Sequence, residues 1–246
     1  MTNAPNDTTL EETIDKVAQH ARSLHTCMRR LMWAGLPAVL LMVAVTLVNA
    51  GSHRSFSDAQ FLWMGILLLP VVPLFVWMIV EQSRLRKAFR GLGDAFPSGP
   101  RDVRQIASPS SIGPLLEGTL AAATIITAWD HKDIDSATAL LGALLQSVGA
   151  EDKVVLTEDQ RKRLEELVLP GRGDSWFKGT GGVGGKSTVT LQTLRGVLCP
   201  AAVGALGFLG DPSSVPVLER FAGKTKNVDL RALALQSVEQ IRKRLP

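Results

Sequence analysis

Ala201–Gly223, AAVGALGFLGDPSSVPVLERFAG, and Lys226–Leu245, KNVDLRALALQSVEQIRKRL, decide how the C-terminal half folds. Leu230, Ala234, Val238, Ile241 and Leu245 recur at helical intervals and form one apolar stripe. Asp211-Pro212 marks a break between helices, because proline lacks the N–H an interior turn needs and its fixed φ suits a first turn. Ala201, Ala202, Ala205 and Gly207 are small enough to let paired helices approach closely. The pattern predicts consecutive antiparallel helices over Ala201–Leu209, Ser213–Ala222 and Val228–Arg244. Leu206, Leu218, Phe221, Leu233 and Ile241 are expected between them.

Upstream, the same periodicity continues without a convincing alternating strand, so the fold class is all-α. Asp133 to Val148 is apolar and Ala-rich behind acidic residues that suit a helix N-terminus. Thr157-Glu158-Asp159-Gln160 spells a capping box, with Thr157 as N-cap and Gln160 at the third helical position, opening a helix through Leu169. Leu191, Leu194, Leu198, Ala202, Ala205 and Leu209 trace another helix, in which Pro200 predicts a kink or a restart.

Ala205-Leu206-Gly207, Leu209-Gly210-Asp211-Pro212 and Val215-Pro216-Val217-Leu218, followed by Val228, Asp229, Arg231, Ala234 and Ser237, together resemble the short HEAT-like repeats. The resemblance covers about 45 residues, Ala201 to Leu245. It implies a small α-solenoid of about three helix pairs, with Ile112–Val148 and Thr157–Leu209 as degenerate earlier units. It also implies protein binding on a row of inner helices.

Farther out lie two charge-free runs of twenty residues: Leu31–Ala50, LMWAGLPAVLLMVAVTLVNA, and Phe61–Val80, FLWMGILLLPVVPLFVWMIV. At 1.5 Å per residue each spans about 30 Å, the thickness of a bilayer's hydrocarbon core. Trp33, Trp63 and Trp77 sit near the run ends, where indoles favour the headgroup level. Lys16, Arg22, Arg29 and Arg30 precede the first run; Arg84, Arg86, Lys87, Arg90, Arg101 and Arg104 follow the second; the connection Gly51–Gln60 holds only Arg54. This asymmetry predicts a multi-pass hairpin in a plasma or inner membrane, with both termini cytoplasmic. Neither run carries an ionisable group, so no ion or proton path is indicated. Arg84, Arg86, Lys87 and Arg90 are topology determinants first and candidate contacts for anionic lipid headgroups second.

Leu10, Ile14, Val17, Ala21, Leu24, Met28 and Leu31 form an a/d stripe over three heptads. Two readings stay open: pairing of residues 10–31 in a homodimer, or packing on the chain's own outgoing helix through Leu85, Phe89 and Leu92. Glu11, Thr13, Ala18 and His20 at the flanking positions lack complementary charge pairs, which favours the second.

The resulting layout is a cytoplasmic amphipathic helix (1–30), a transmembrane hairpin (31–80), a basic juxtamembrane helix and linker (81–111), and a helical domain (112–246) with a Gly-rich insertion at 170–188. The linker, GLGDAFPSGPRDVRQIASPSS, begins at Gly91. Charge balance is 27 basic to 23 acidic overall but 16 to 15 from Gln105 onward, so the basic excess sits around the hydrophobic runs. That distribution suits a membrane surface and excludes nucleic acid as the expected partner. Cys27 and Cys199 read as free thiols in a reducing compartment.

Lys178–Thr188, KGTGGVGGKST, looks like a phosphate-binding loop with Lys186 and Ser187 as the ligands. Thr180 occupies the position of its first glycine, however, and a turn replaces the strand that should precede it. An insertion is the better reading. Arg172-Gly173-Asp174-Ser175 on the expected cytoplasmic side is a chance tetrapeptide. His20, His25, His53 and His131 show no metal-ligand spacing, and no catalytic constellation or cofactor is indicated. The expectation is a non-enzymatic, membrane-anchored interaction scaffold with an unidentified protein partner on the cytoplasmic side. The alternatives are a nucleotide-binding regulatory protein using the 178–188 loop, and an accessory or assembly subunit of a larger membrane complex.

Overall fold

The computed structural model describes residues 7–51, 65, 69, 71–95, 107–124, 131–152, 154–169 and 191–244. Every regular element among them is helical. These are α1 (Asp7–Gly51), α2 (Val71–Ala95), α3 (Ile112–Thr124), α4 (His131–Ser147), α5 (Glu158–Val168), α6 (Leu191–Leu209), α7 (Val215–Lys224) and α8 (Val228–Arg244). Short 3-10 turns, Pro109–Ser111 and Pro212–Ser214, lead into α3 and α7. The chain divides into two compact units: His20–Leu85, and Met1–Gln19 with Arg86–Pro246.

In the smaller unit, α1 contributes His20 onward and α2 contributes Val71–Leu85. Ala21, Leu24, Cys27 and Leu85 are buried between them. The first apolar run, Leu31–Ala50, is helical throughout. The second is described from Val71, apart from Gly65 and Leu69, and the connection 52–60 lies outside the described residues. Met32, Trp33 and Val43 on α1, with Val72, Phe75, Val76, Ile79 and Val80 on α2, all face outward, Trp33 being 75% exposed.

In the larger unit, Leu10, Ile14 and Val17 are buried, as are Phe89 and Leu92. The N-terminal stripe is therefore covered within one chain. Its cover includes α3: a Cβ added at Gly118 would collide with the Val17 side chain and meet Phe89 Cζ at 3.6 Å. Only glycine fits that approach. The helix α2 runs on through Gly91–Ala95, where a linker was expected, because burial of Leu92 outweighs the low helix propensity of Gly91 and Gly93. Residues 96–106 of that expected linker lie outside the described residues.

The remaining helices pair in chain order, α3 with α4, α5 with α6, and α7 with α8. First helices of successive pairs touch (α3 to α5 to α7), and so do second helices (α4 to α6 to α8). Within the described residues, Gln192–Leu209 has the length and hydropathy of a membrane span. This segment of α6 packs on α4, α5 and α8 and buries Leu194, Leu198, Ala202, Val203 and Leu206, so one side of it is taken up by the stack while Val197 stays exposed.

The terminal helices fall where the sequence pattern puts them. Leu206, Leu218 and Ile241 are fully buried, while Phe221 and Leu233 are half-buried. The helix α6 does not restart at Pro200 but runs through it. Pro200 and Gly196 are both exposed, so water can satisfy the carbonyl that Pro200 leaves without a donor, and Gly196 offers no side chain to obstruct the ring.

Truncating a fully buried leucine costs about 2–5 kcal/mol, a large part of a small domain's stability. Leu218→Ala in the full chain should lower the unfolding midpoint measured by circular dichroism during heating. Leu235→Ala, at a 52% exposed position on the neighbouring helix, should leave that midpoint nearly unchanged.

Candidate interaction sites

Glu81, the first charged residue after the second apolar run, is only 4% exposed. An unpartnered carboxylate there would cost several kcal/mol. It has two partners: His20 Nδ1 faces Oε2 at 2.9 Å, and Arg84 Nη1 donates to Oε1 at 2.9 Å. Two turns farther along the pair of helices, the Cys27 thiol donates to the Leu74 carbonyl at 3.1 Å. Burial pushes that thiol's pKa up and Glu81 adds to the effect, with Arg30 opposing. The Arg30 guanidinium lies over the Trp77 ring, 5.8 Å from its centroid. These groups tie α1 to α2 within the smaller unit.

The residues singled out from sequence are distributed as follows. Arg84 is committed to Glu81. In the larger unit, Arg86 and Arg90 engage other groups of the chain, whereas Lys87 is exposed. Lys186 and Ser187, with the rest of the Gly-rich segment, lie outside the described residues. Among the described residues no three His, Cys, Asp or Glu side chains are grouped to hold a metal. Burial pushes the Cys199 thiol up, with Arg195 partly opposing, so neither described thiol is activated as a nucleophile. Glu81 and its link to His20 escaped the sequence reading. The available signal was a lone carboxylate at the end of a charge-free run with Arg84 three residues on.

In the larger unit, a line of polar bonds crosses the first-helix row. The capping box at α5 is formed: Gln160 N–H donates to Thr157 Oγ1 at 3.2 Å, and Thr157 N–H donates to Gln160 Oε1 at 3.0 Å. The other end of the same amide donates to Glu117 Oε1 of α3 at 2.9 Å. On the opposite side of α5, Ser214 Oγ donates to Glu165 at 2.6 Å, and Arg161 Nη1 meets Asp211 Oδ2 at 2.6 Å. The middle helix is thus bonded to both neighbours.

Two lead-in turns repeat the same device. Ser108-Pro109-Ser110-Ser111-Ile112 and Asp211-Pro212-Ser213-Ser214-Val215 each place an oxygen-bearing N-cap before proline. Each cap accepts the N–H two residues on and buries the second serine. Burial works to raise the Asp211 pKa, but hydrogen bonds from the Ser213 hydroxyl and N–H, with the Arg161 charge, outweigh it and hold the carboxyl below its ordinary 3.8.

Along the second-helix row, small or apolar residues stand exposed among polar ones: Ala139 on α4, Gly196, Val197 and Pro200 on α6, and Leu235 on α8. Val197 is 62% exposed. No protein family, curated protein or solved structure matches the chain.

A carboxyl whose folded pKa is depressed contributes stability that is present above its unfolded value and lost as pH falls through the folded one. Asp211→Asn should therefore lower the melting temperature at neutral pH and narrow the gap to wild type below pH 3.8, as the wild-type carboxyl protonates. Asp211 is 39% exposed, so the neutral-pH shift should stay within about 2–4 °C. Melting curves across that range, for both proteins, check it.

Proposed function

We propose that this chain is a membrane-anchored, non-enzymatic binding module, in which a two-helix hairpin tethers a HEAT-like α-solenoid to the cytoplasmic face of a plasma or inner membrane. The observation that carries the anchoring is the outward set of large apolar side chains on α1 and α2, flanked by cations. Water penalises such a surface, and lipid does not. The solenoid reading draws on the succession of helix pairs with separate first-helix and second-helix rows, and on the repeated lead-in turns at Ser108 and Asp211. The small and apolar exposed positions of α4 and α6, namely Ala139, Gly196, Val197 and Pro200, are the partner surface, since the charged exposed positions of α5 and α7, such as Lys162, Glu219 and Arg220, and of α8, such as Arg231 and Glu239, suit solvent better. Tethering raises the partner's effective concentration at the inner leaflet.

Two measurements test this. In intact cells, a cysteine at Ser52 should react with an impermeant maleimide and one at Ser110 should not; the reverse pattern would overturn the topology. Val197→Arg should abolish retention of a partner by detergent-solubilised protein without moving the melting temperature. Unchanged retention would exclude the second-helix row as the partner surface.

A further inference from the structure

The cations around the hairpin are not equivalent. Lys16 is paired with Glu12 at 2.7 Å, and Arg84 with the buried Glu81. Arg29 and Arg30 are exposed, and among the described residues neither has a carboxylate partner. They immediately precede the first apolar run, at the level where an anionic membrane surface attracts basic side chains. Their surroundings are aromatic. Arg30 lies over Trp77, and the exposed Trp33 stands three and four residues beyond Arg30 and Arg29, on the neighbouring part of the helix surface. A guanidinium resting on an indole face keeps its in-plane N–H groups free to donate to a phosphate oxygen. Trp33 and Trp77 are also the residue type that settles at headgroup depth.

We propose that Arg29 and Arg30, with Trp77 beneath Arg30 and Trp33 beside them, form a binding site for the phosphate of an anionic phospholipid in the cytoplasmic leaflet. This rests on the membrane-anchored reading above and narrows it to a lipid class. The site is distinct from Arg84, whose guanidinium serves the Glu81 carboxylate. The Arg30–Trp77 contact also joins α1 to α2, so headgroup binding there would brace the two helices at the level where they leave the membrane.

The experiment uses the full chain in nanodiscs of mixed phosphatidylglycerol and phosphatidylcholine, with annular lipid composition read by native mass spectrometry after release. Each basic side chain near an anionic surface contributes about five-fold in lipid preference, so Arg29→Gln/Arg30→Gln should reduce enrichment of phosphatidylglycerol by roughly twenty-five-fold or to background. Lys162→Gln, which removes a cation already paired with Glu158, should change it little. Trp77→Leu keeps both charges and should reduce it by a smaller factor, which guards against a double variant that inserts poorly. A wild-type chain stripped from membranes by alkaline carbonate would defeat the anchoring itself. A wild type that stays inserted but shows no enrichment, or a double variant that keeps it, would overturn this site alone. Loss of enrichment on adding inorganic phosphate at constant ionic strength would show that the site takes a free anion, and would overturn the lipid assignment.

Discussion

The helix stack depends on how closely α6 and α8 approach. Gly207 faces Ser237, and a Cβ there would come within 3.2 Å of the Ser237 backbone. At that separation the Ser237 hydroxyl reaches across to the Val203 carbonyl at 2.9 Å while also lying 2.9 Å from its own helix's Leu233 carbonyl. A larger residue at either position would part the helices and expose Val203, Leu206, Val238 and Ile241 together, all of them now buried. Because α6 also lies against α4 and α5, the spacing set here is passed to the pair before it.

Local chemistry made some of this legible. The capping box at Thr157 could be read because its donors and acceptors lie within four residues. The boundary at Asp211-Pro212 could be read because proline and an N-cap carboxylate announce it. What could not be read is the second use of the same atoms. The Gln160 amide that closes the box also bonds Glu117, 43 residues away, and Asp211 both caps its turn and meets Arg161. A sequence shows that a side chain has bonding capacity left over; only the fold decides where it is spent.

Two places show structure that the sequence pattern did not specify. Ser108–Ser111 falls in the expected linker, where Ser, Pro and Gly dominate, and it carries the turn that recurs at Asp211–Ser214 with serine replacing aspartate as cap. Composition hid the repeat: both copies carry Pro-Ser-Ser, but they lie far apart, and in the first the cap is one more serine in a stretch already rich in serine and proline. At Pro200, where the pattern predicts a kink or a restart, the helix does not restart: the rule against interior proline assumes a carbonyl with nowhere else to bond. On the exposed side of α6, that assumption fails. The candidate site shows the same division. That cations gather at the hairpin's base was plain from sequence, but which were already neutralised depended on Glu81, a residue whose burial no local pattern reveals.

The last described helix pair shows how side chains cover exposed backbone and helix faces. The last carbonyls of α6 and the exposed side of α8 are covered in two ways. Arg244 supplies the first: its guanidinium donates to the Gly207, Phe208 and Gly210 carbonyls, placing a cation at the negative end of α6 and satisfying groups the helix leaves unbonded. Charged side chains supply the second, through Arg242 with Glu219 at 2.7 Å and Lys243 with Glu239 at 2.8 Å. Each exposed pair adds little stability. Their effect is to keep this face of α7 and α8 solvated by water. At the opposite end, Val17 and Phe89 against Gly118 give cover with apolar side chains. The helices that lead to and from the hydrophobic runs therefore also cap the first pair, which makes them part of the stack's own core.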